Sequence, residues 1–146
     1  MNKIYIFIVA CLLILSACDV TKPDPNGKKG NGRIIITLQS DTVILGLQGN
    51  GEITINIEGE SNKKINGTNF KYHPFKFADS EIRIIEILGE VTRLNISSNH
   101  VTELDISESP KLIYLDSSNN LLNSLKINKN TQLKEINISN NQLSAE

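Results

Sequence analysis

Cysteine and histidine have the side chains most able to do covalent or acid–base chemistry, and this chain of 146 residues has two of each. A cysteine acts as a nucleophile through its thiolate. Cys18 follows an apolar run and two small residues, whereas Cys11 lies inside that run. The position of Cys18 points to chemistry on its own thiol, and the segments around it decide which chemistry that is.

The two histidines are candidate general bases, but no motif beside them completes a catalytic set. A hydrolase needs a nucleophile, a base and an orienting group within reach of one another. His73 lies in Tyr-His-Pro-Phe, which we predict to be a turn, and His100 follows an asparagine. We predict that both are ordinary surface histidines and that the chain has no catalytic residues. A small hydrolase is the alternative, which incubation with glycan or peptide substrates would test.

Acidic residues are spread along the chain and form no recognisable metal site. A metal site needs clustered His, Cys or carboxylate ligands, and a calcium loop needs the pattern D-x-D-x-D-G. Asp79 and Glu81 are the acids nearest to a loop, and a pair such as Asp105 and Asp116 is expected on a solvated face. The sequence therefore predicts no metal and no cofactor.

The charge balance argues against nucleic acid as a partner. The chain has 15 basic and 16 acidic residues, a formal net charge of -1, and its basic residues are scattered. Proteins that bind nucleic acid concentrate basic residues, because neutralising phosphates supplies much of their affinity. We predict no nucleic-acid partner.

The first 17 residues have the pattern of a secretory signal peptide. Lys3 supplies a positive charge, residues 4–15 are an apolar run, and Ser16 and Ala17 are small. Such a run spans about 18 Å as a helix, which is too short for the ~30 Å hydrocarbon core of a bilayer. A signal peptide at residues 1–17 therefore fits better than a membrane span.

The order Leu-Ser-Ala-Cys at residues 15–18 resembles the lipobox of bacterial lipoproteins. That resemblance implies cleavage before Cys18, diacylglycerol on its thiol and a further acyl chain such as palmitate on its amine. Two or more acyl chains hold a protein on a bilayer. The resemblance implies the membrane as a partner and the cell envelope as the location, at the outer membrane or cell surface of a Gram-negative bacterium. Residues 18–32, rich in Pro, Gly and charge, are predicted to be a flexible tether.

The second half of the chain repeats with a period of 21 residues. Apolar positions recur at this spacing, and an asparagine recurs without exception at Asn99, Asn120 and Asn141. An amphipathic helix would instead show a 3.6-residue period and no fixed asparagine. Two copies are complete, at residues 91–111 and 112–132, and a third is partial.

The pattern L-x-x-L-x-[IS]-x-x-N-x-[VL]-x-x-L-x-I resembles the leucine-rich repeat in its short bacterial form. This resemblance implies a β solenoid over residues 90–146. It gives the three column asparagines a structural role, because a buried amide can both donate to and accept from the backbone of neighbouring coils. Residues 104–106 and 125–127 are expected to form a second wall of the coils.

Residues 33–89 are predicted to form an all-β module, because β-branched runs are separated by Gly and Asn turns. Strands are predicted at residues 33–39, 42–47, 52–57 and 82–88. The segment resembles a PKD-like β-sandwich in degenerate form, with Ile-Glu-Gly-Glu at residues 57–60 where that family has W-G-D-G. Its last strand is expected to cover the start of the solenoid. The predicted fold is mainly β: a small β-sandwich-like module continuing into a short leucine-rich-repeat solenoid.

In the leucine-rich-repeat family the strand face often makes the contacts, so the outward strand positions are the candidate binding face. These positions are Arg93, Asn95, Tyr114, Asp116, Glu135 and Asn137. Tyr114 is the expected anchor, since aromatic side chains dominate interface energetics. The sequence thus predicts a non-catalytic envelope lipoprotein that presents a leucine-rich-repeat surface to a protein or glycan.

The last copy suggests two further hypotheses. Its apolar residues Ile136, Ile138 and Leu143 make end-to-end self-association through the last repeat one expectation. Repeat arrays usually need at least three copies and polar caps. The alternative function is therefore a structural or degenerate fragment of a longer surface adhesin, without a ligand of its own.

Overall fold

The computed structural model describes residues 32–144 and has a mainly β structure, as the sequence predicts. The predicted signal peptide, Cys18 and tether residues 19–31 lie outside the described residues. No helix within residues 32–144 is long and apolar enough to cross a bilayer. The strands of this part of the chain are β1 (Arg33–Gln39), β2 (Thr42–Gly49), β3 (Glu52–Ile57), β4 (Lys63–Asn66), β5 (Lys71–Lys76), β6 (Ile82–Leu88), β7 (Val91–Asn95), β8 (Val101–Glu108), β9 (Tyr114–Asp116) and β10 (Glu135–Asn137).

The first sheet has the strand order β4-β3-β6-β1-β8, and each neighbouring pair is antiparallel. Its central strands form because apolar residues alternate with polar or half-exposed ones, which gives each strand one buried face. The buried residues of β1, β3 and β6 are Ile34, Ile36, Leu38, Ile53, Ile55, Ile57, Ile85 and Ile87.

The second sheet has the strand order β10-β9-β7-β2-β5 and mixes two kinds of pairing. Strands β7, β9 and β10 are parallel neighbours, while β2 pairs antiparallel with β5 and β7. The parallel register places Arg93 beside Tyr114 and Tyr114 beside Glu135. Residues that are 21 positions apart therefore become direct neighbours across the sheet.

The buried faces of both sheets contribute to one hydrophobic cluster. Its members within residues 32–144 are isoleucine, leucine and valine, with Phe77 as the single aromatic side chain. Fully burying an aliphatic side chain of this size contributes about 1.5–3 kcal/mol. The core is thus built from branched aliphatic residues, and the chain's other described aromatic residues lie outside this cluster.

Strands β1 and β2 cover the first repeat copy, whereas the sequence predicted that residues 82–88 would do so. β1 pairs with β8, and β2 pairs with β7. β6 cannot take that place, because its two edges are already bonded to β1 and β3. The segments before and after residue 89 consequently share both sheets.

Two strands at sheet edges were not predicted, and one of them corrects the interpretation of His73. β4 lies at one edge of the first sheet and β5 at one edge of the second, and His73 lies within β5 rather than in a turn. Pro74 argued against a strand at this position, because proline cannot donate a hydrogen bond to a strand ladder. At the edge of a sheet, where β5 lies, proline is tolerated. A second correction concerns residues 125–127, which form no strand in the described chain.

Candidate functional site

The column of repeated asparagines lies inside the fold and bonds backbone groups of adjacent copies. Asn120 is 5% exposed, and its Nδ2 donates to the carbonyl oxygens of Ile96 at 2.9 Å and Ser117 at 3.0 Å. Its Oδ1 accepts from the backbone N–H groups of Asn99 and Val101, both at 3.0 Å. One side chain thus satisfies four buried polar groups that water does not reach.

The last member of the column makes the same kind of bonds from a more exposed position. Asn141 is half-buried, and its Nδ2 donates to the carbonyl oxygens of Ser117 at 2.9 Å and Ile138 at 3.0 Å. Its Oδ1 accepts from the backbone N–H of Leu122 at 3.0 Å. Asn141 therefore links the partial third copy to the second.

The first member of the column bonds to β2 instead of to another repeat copy. The Oδ1 atom of Asn99 accepts from the backbone N–H of Ile44 at 2.8 Å, and its Nδ2 donates to the Ile44 carbonyl at 2.9 Å. The Asn99 amide takes the place of a strand neighbour, because β7 has already ended at Asn95. On the other side of β2, Ile44 is the register partner of Pro74, which has no N–H to donate. This leaves no group of Ile44 unsatisfied, because its backbone N–H and carbonyl both bond the Asn99 side chain.

Ser109 and Asn130 form a second column of buried polar side chains, which was not predicted from the sequence. They bond backbone carbonyls at the turn that ends each complete copy. Ser109 Oγ donates to the carbonyl of Arg33 on β1 at 2.9 Å. Asn130, 21 residues later, donates from Nδ2 to the carbonyls of Ile106 at 2.8 Å and Ser109 at 3.0 Å. The recurrence of a small polar residue at this spacing was the available signal. Both buried columns are structural.

The outward column of Asn95, Asp116 and Asn137 shapes its own turns with one oxygen of each side chain. Oδ1 of Asn95 accepts from the backbone N–H and hydroxyl of the serine two residues later, at 3.0 and 2.8 Å. Asp116 and Asn137 make the same pair of bonds to their own serines. The other polar atom of each side chain faces outward, and Asn95 Nδ2 lies 3.5 Å from Asp116 Oδ2.

Arg93 lies between two aromatic rings on this outward side. Its guanidinium carbon is 4.4 Å from the ring centroid of Tyr114 and 5.8 Å from that of Phe70. Such cation–π contacts stabilise a pair by about 0.5–1 kcal/mol at exposed sites. Among the described residues Arg93 makes no salt bridge, so its donor groups are available to a ligand.

Phe70 and Tyr72 extend the candidate face beyond the repeats, and the sequence reading did not include them. Their rings meet edge to face, with centroids 5.2 Å apart and planes at 81°. Both rings lie on Gly46 of β2, where a Cβ would stand 2.7 Å from Phe70 Cζ and 2.8 Å from Tyr72 Cε1. A glycine inside a predicted strand often marks such a close approach, so Gly46 was the available signal.

We call the surface formed by these outward side chains the outer face. Four strands of the second sheet, β5, β7, β9 and β10, contribute side chains to it. The fifth strand, β2, contributes Gly46, against which the rings of Phe70 and Tyr72 pack. It consists of Phe70, Tyr72, Arg93, Asn95, Tyr114, Asp116, Glu135 and Asn137.

The outer face holds most of the aromatic side chains in residues 32–144. Five aromatic residues occur there, of which only Phe77 belongs to the buried core. Three of the five lie on the outer face, and Tyr72 is 58% exposed. Phe70 and Tyr114 are partly buried, whereas the Tyr72 ring forgoes most of the free energy that its burial would contribute, so it is the most accessible ring of the outer face.

The pKa of Tyr114 on the outer face is raised above its usual value. Burial raises the pKa of the Tyr114 phenol, and the nearby Asp116 carboxylate raises it further, while Arg93 acts in the opposite direction. The hydroxyl therefore remains a hydrogen-bond donor at neutral and mildly alkaline pH.

The other residues with possible chemistry are not brought together. Asp105 lies on β8 in the first sheet and Asp116 on β9 in the second sheet. Partial burial lowers the pKa of His73, and Lys63 and Lys71 lower it further. No group of three or more His, Cys, Asp or Glu residues in the described part of the chain could hold a metal ion.

Comparison with known proteins finds no family model that matches the chain, and it finds no match among curated proteins or solved structures.

Proposed function

We propose that this chain is a non-catalytic lipoprotein of the cell envelope that presents the outer face to a protein or glycan ligand. The observation that carries the proposal is the concentration of Phe70, Tyr72 and Tyr114 around Arg93. Tyrosine and arginine are the residues most enriched where binding energy concentrates. Their side chains lie on paired strands, which hold a ligand-binding geometry better than loops do.

The proposal includes a short leucine-rich-repeat solenoid for residues 90–146. Three features support it: parallel pairing at a 21-residue spacing, the inward column of Asn99, Asn120 and Asn141, and the second column of Ser109 and Asn130. β1 and β2 would serve as the cap at the amino-terminal end, since each pairs with a strand of the first copy. The resemblance of residues 33–89 to a PKD-like sandwich belongs to the same proposal.

The proposed location rests on the amino-terminal sequence alone. Cys18 in its Leu-Ser-Ala-Cys context would take the acyl chains, and residues 18–32 would separate the folded part from the bilayer. Metabolic labelling with an alkyne fatty acid tests this directly. We expect label on the wild-type chain and none on Cys18→Ser, whereas equal labelling of both would refute acylation at Cys18.

The alternative, a structural fragment without a ligand, is favoured by the exposed carboxyl-terminal copy. Ile136 of this copy is 42% exposed, and Ile127, near the end of the second copy, is 44% exposed. The same residues support end-to-end self-association, because an exposed apolar edge strand such as β10 can pair with another chain. Sedimentation of the full chain with and without Ile136→Lys would separate the two: a dimer that the substitution dissociates supports self-association.

The function is tested by screening the full-length chain in mild detergent against a glycan array and an extract of envelope proteins. We expect at least one ligand whose binding falls at least about tenfold in Tyr114→Ala. Ile113→Ala is the matched control, because Ile113 is the neighbouring residue, is partly exposed and lies outside the outer face. A chain that binds nothing, or a ligand that Tyr114→Ala binds as well as wild type, would contradict the proposal.

A further inference from the structure

The rings and the guanidinium of the outer face form one connected layer. Tyr72 contacts Phe70, Arg93 lies between Phe70 and Tyr114, and Tyr114 is the register neighbour of Glu135. Its rings and guanidinium cross the second sheet from β5 to β9, at right angles to the strands, and Glu135 continues the layer to β10. Four strand spacings separate these edges, so the layer is about 19 Å long. A ligand that uses all of it must be extended.

A parallel row of planar polar groups accompanies the rings. In register, Gly46 lies beside both Tyr72 and Asn95, and Asn95 lies beside Asp116, which lies beside Asn137. Because one oxygen of each of the last three side chains is fixed by its own serine, the orientation of the outward atom is fixed too. Fixed donors and acceptors at strand spacing suit a ligand with regularly repeated hydroxyl groups.

Charge and size argue against the other extended ligands. Arg93 is basic, but Asp116 and Glu135 are acidic, so the face does not favour an anionic polymer. A stable protein interface uses roughly 20–30 residues from each partner. The outer face has eight, and three of them are small polar side chains.

We infer that the ligand of the outer face is a neutral, extended oligosaccharide lying across the strands. Its sugar rings contact Tyr72 and Tyr114, its hydroxyls bond the row of Asn95, Asp116 and Asn137, and Arg93 donates to a ring or hydroxyl oxygen. Phe70 supports Tyr72 through the edge-to-face contact of their rings. A sugar unit in a chain is roughly as long as the strand spacing, so the layer accommodates about four units. This inference rests on the proposed function and narrows its ligand class.

The rings of Phe70 and Tyr72 pack against Gly46. A substitution at Gly46 therefore tests whether ligand binding depends on the position of these rings, without removing a side chain that contacts the ligand. In Gly46→Ala the new methyl group would stand within 3 Å of both rings, whose outer atoms must shift. We expect the variant to fold, because the crowded atoms belong to side chains on the surface. We also expect it to bind more weakly than the wild type.

The experiment measures binding of the full-length chain in mild detergent to defined oligosaccharides of two to six units. The neutral probes are gluco-, xylo- and manno-oligosaccharides with β-1,4 linkages, together with α-1,4 gluco-oligosaccharides. Oligogalacturonates are the acidic probes. We expect one neutral series to bind with an affinity that rises to about four units and then levels off. Tyr72→Ala should weaken that binding at least about tenfold, and Gly46→Ala should weaken it less.

Ile82→Ala is the matched control, because Ile82 is 62% exposed and lies on the first sheet, where its loss should leave binding unchanged. Failure of all neutral series overturns the inference, as does preference for the acidic probes. In either case the proposed function still holds if the chain binds envelope proteins or acidic glycans and Tyr72→Ala abolishes that binding. If Tyr72→Ala changes the binding of no glycan and no envelope protein, both the inference and the proposed function fail.

Discussion

Two columns of polar side chains recur at the same spacing of 21 residues but lie in opposite environments. Asn99 and Asn120 of the inward column are about 95% buried, and they bond only backbone groups. Asn95 and Asp116 of the outward column are half-exposed and fix their own turns with one oxygen each. Of the remaining polar atoms of these two side chains, Asn95 Nδ2 lies within 3.5 Å of Asp116 Oδ2.

The difference shows that a repeated asparagine does not have one meaning. Bonding the polar atoms of a buried amide is favourable, because each unsatisfied group costs about 1–3 kcal/mol. An exposed amide or carboxylate bears no such cost and can keep an atom for a ligand. We therefore propose that the inward column stabilises the fold and that the outer face binds a ligand, and the following variants test that proposal.

The largest effect is expected from Asn120→Ala. The substitution leaves the carbonyls of Ile96 and Ser117 and the N–H groups of Asn99 and Val101 buried without these partners. We expect the free energy of unfolding to fall by about 3–4 kcal/mol in urea denaturation. Asn123→Ala, at an exposed asparagine three residues later, should change it by less than about 0.5 kcal/mol. Equal effects of the two substitutions would contradict the assignment.

A smaller effect is expected from Asn141→Ala at the carboxyl-terminal end of the same column. Asn141 bonds Leu122, Ser117 and Ile138, but it is half-buried, so water can replace part of what is lost. We expect the free energy of unfolding to fall by about 1–2 kcal/mol. If Asn141→Ala costs as much as Asn120→Ala in the same denaturation assay, the last copy is covered in solution, as self-association would require.

An effect of opposite sign is expected at Ser117, the polar exception in an apolar repeat position. Ser117 is fully buried, and its hydroxyl has no hydrogen-bond partner among the described residues. Ser117→Ala replaces the unbonded buried hydroxyl by a hydrogen atom and so removes a desolvation cost. The substitution should therefore raise the free energy of unfolding by about 1 kcal/mol. A loss of stability on thermal or urea unfolding would show that the hydroxyl has a partner in solution.

The smallest effect is expected from His73, which lies at the edge of the second sheet and makes the free energy of unfolding depend on pH. Its folded-state pKa is lowered by partial burial and by Lys63 and Lys71, so the unfolded chain takes up the proton more readily. Stability from this residue is complete above the unfolded pKa of about 6.5 and decreases as the pH falls through it towards the folded value.

Urea unfolding between pH 7.5 and 5.5 measures this decrease. We expect the slope to become smaller in His73→Gln and to persist in His100→Asn, which keeps a residue type that tolerates the positive φ of 57° at that position. An unchanged slope in His73→Gln would assign the pH dependence to other groups.

The strands in the centres of the sheets were predictable from the sequence, whereas the edge strands β4 and β5 were not. Residues 33–39, 52–57 and 82–88 were predicted with the observed bounds, because continuous or alternating β-branched runs dominate there. β4 and β5 escaped prediction, since lysines and Pro74 at an exposed edge carry little hydrophobic periodicity. The 21-residue spacing predicted which residues share a column, and the parallel register of β7, β9 and β10 has that spacing.

The candidate binding residues of the repeats could be selected by position, but their partners could not. Phe70 and Tyr72 come from a different part of the chain, and only the antiparallel pairing of β2 with β5 and β7 brings them to Arg93. That pairing is a long-range contact without a local signature. The covering of the first copy by β1 and β2 was missed for the same reason.

The central claim, that the outer face binds a ligand while the inward column maintains the fold, is tested most directly by one double variant. Tyr72→Ala/Tyr114→Ala removes two outer-face rings and leaves the buried asparagines intact. Its urea unfolding curve and its affinity for the ligand found in the screen should be measured on the same preparation. We predict an unfolding free energy within about 1 kcal/mol of the wild type, together with an affinity reduced at least about a hundredfold. A folded double variant that binds with wild-type affinity would contradict the account.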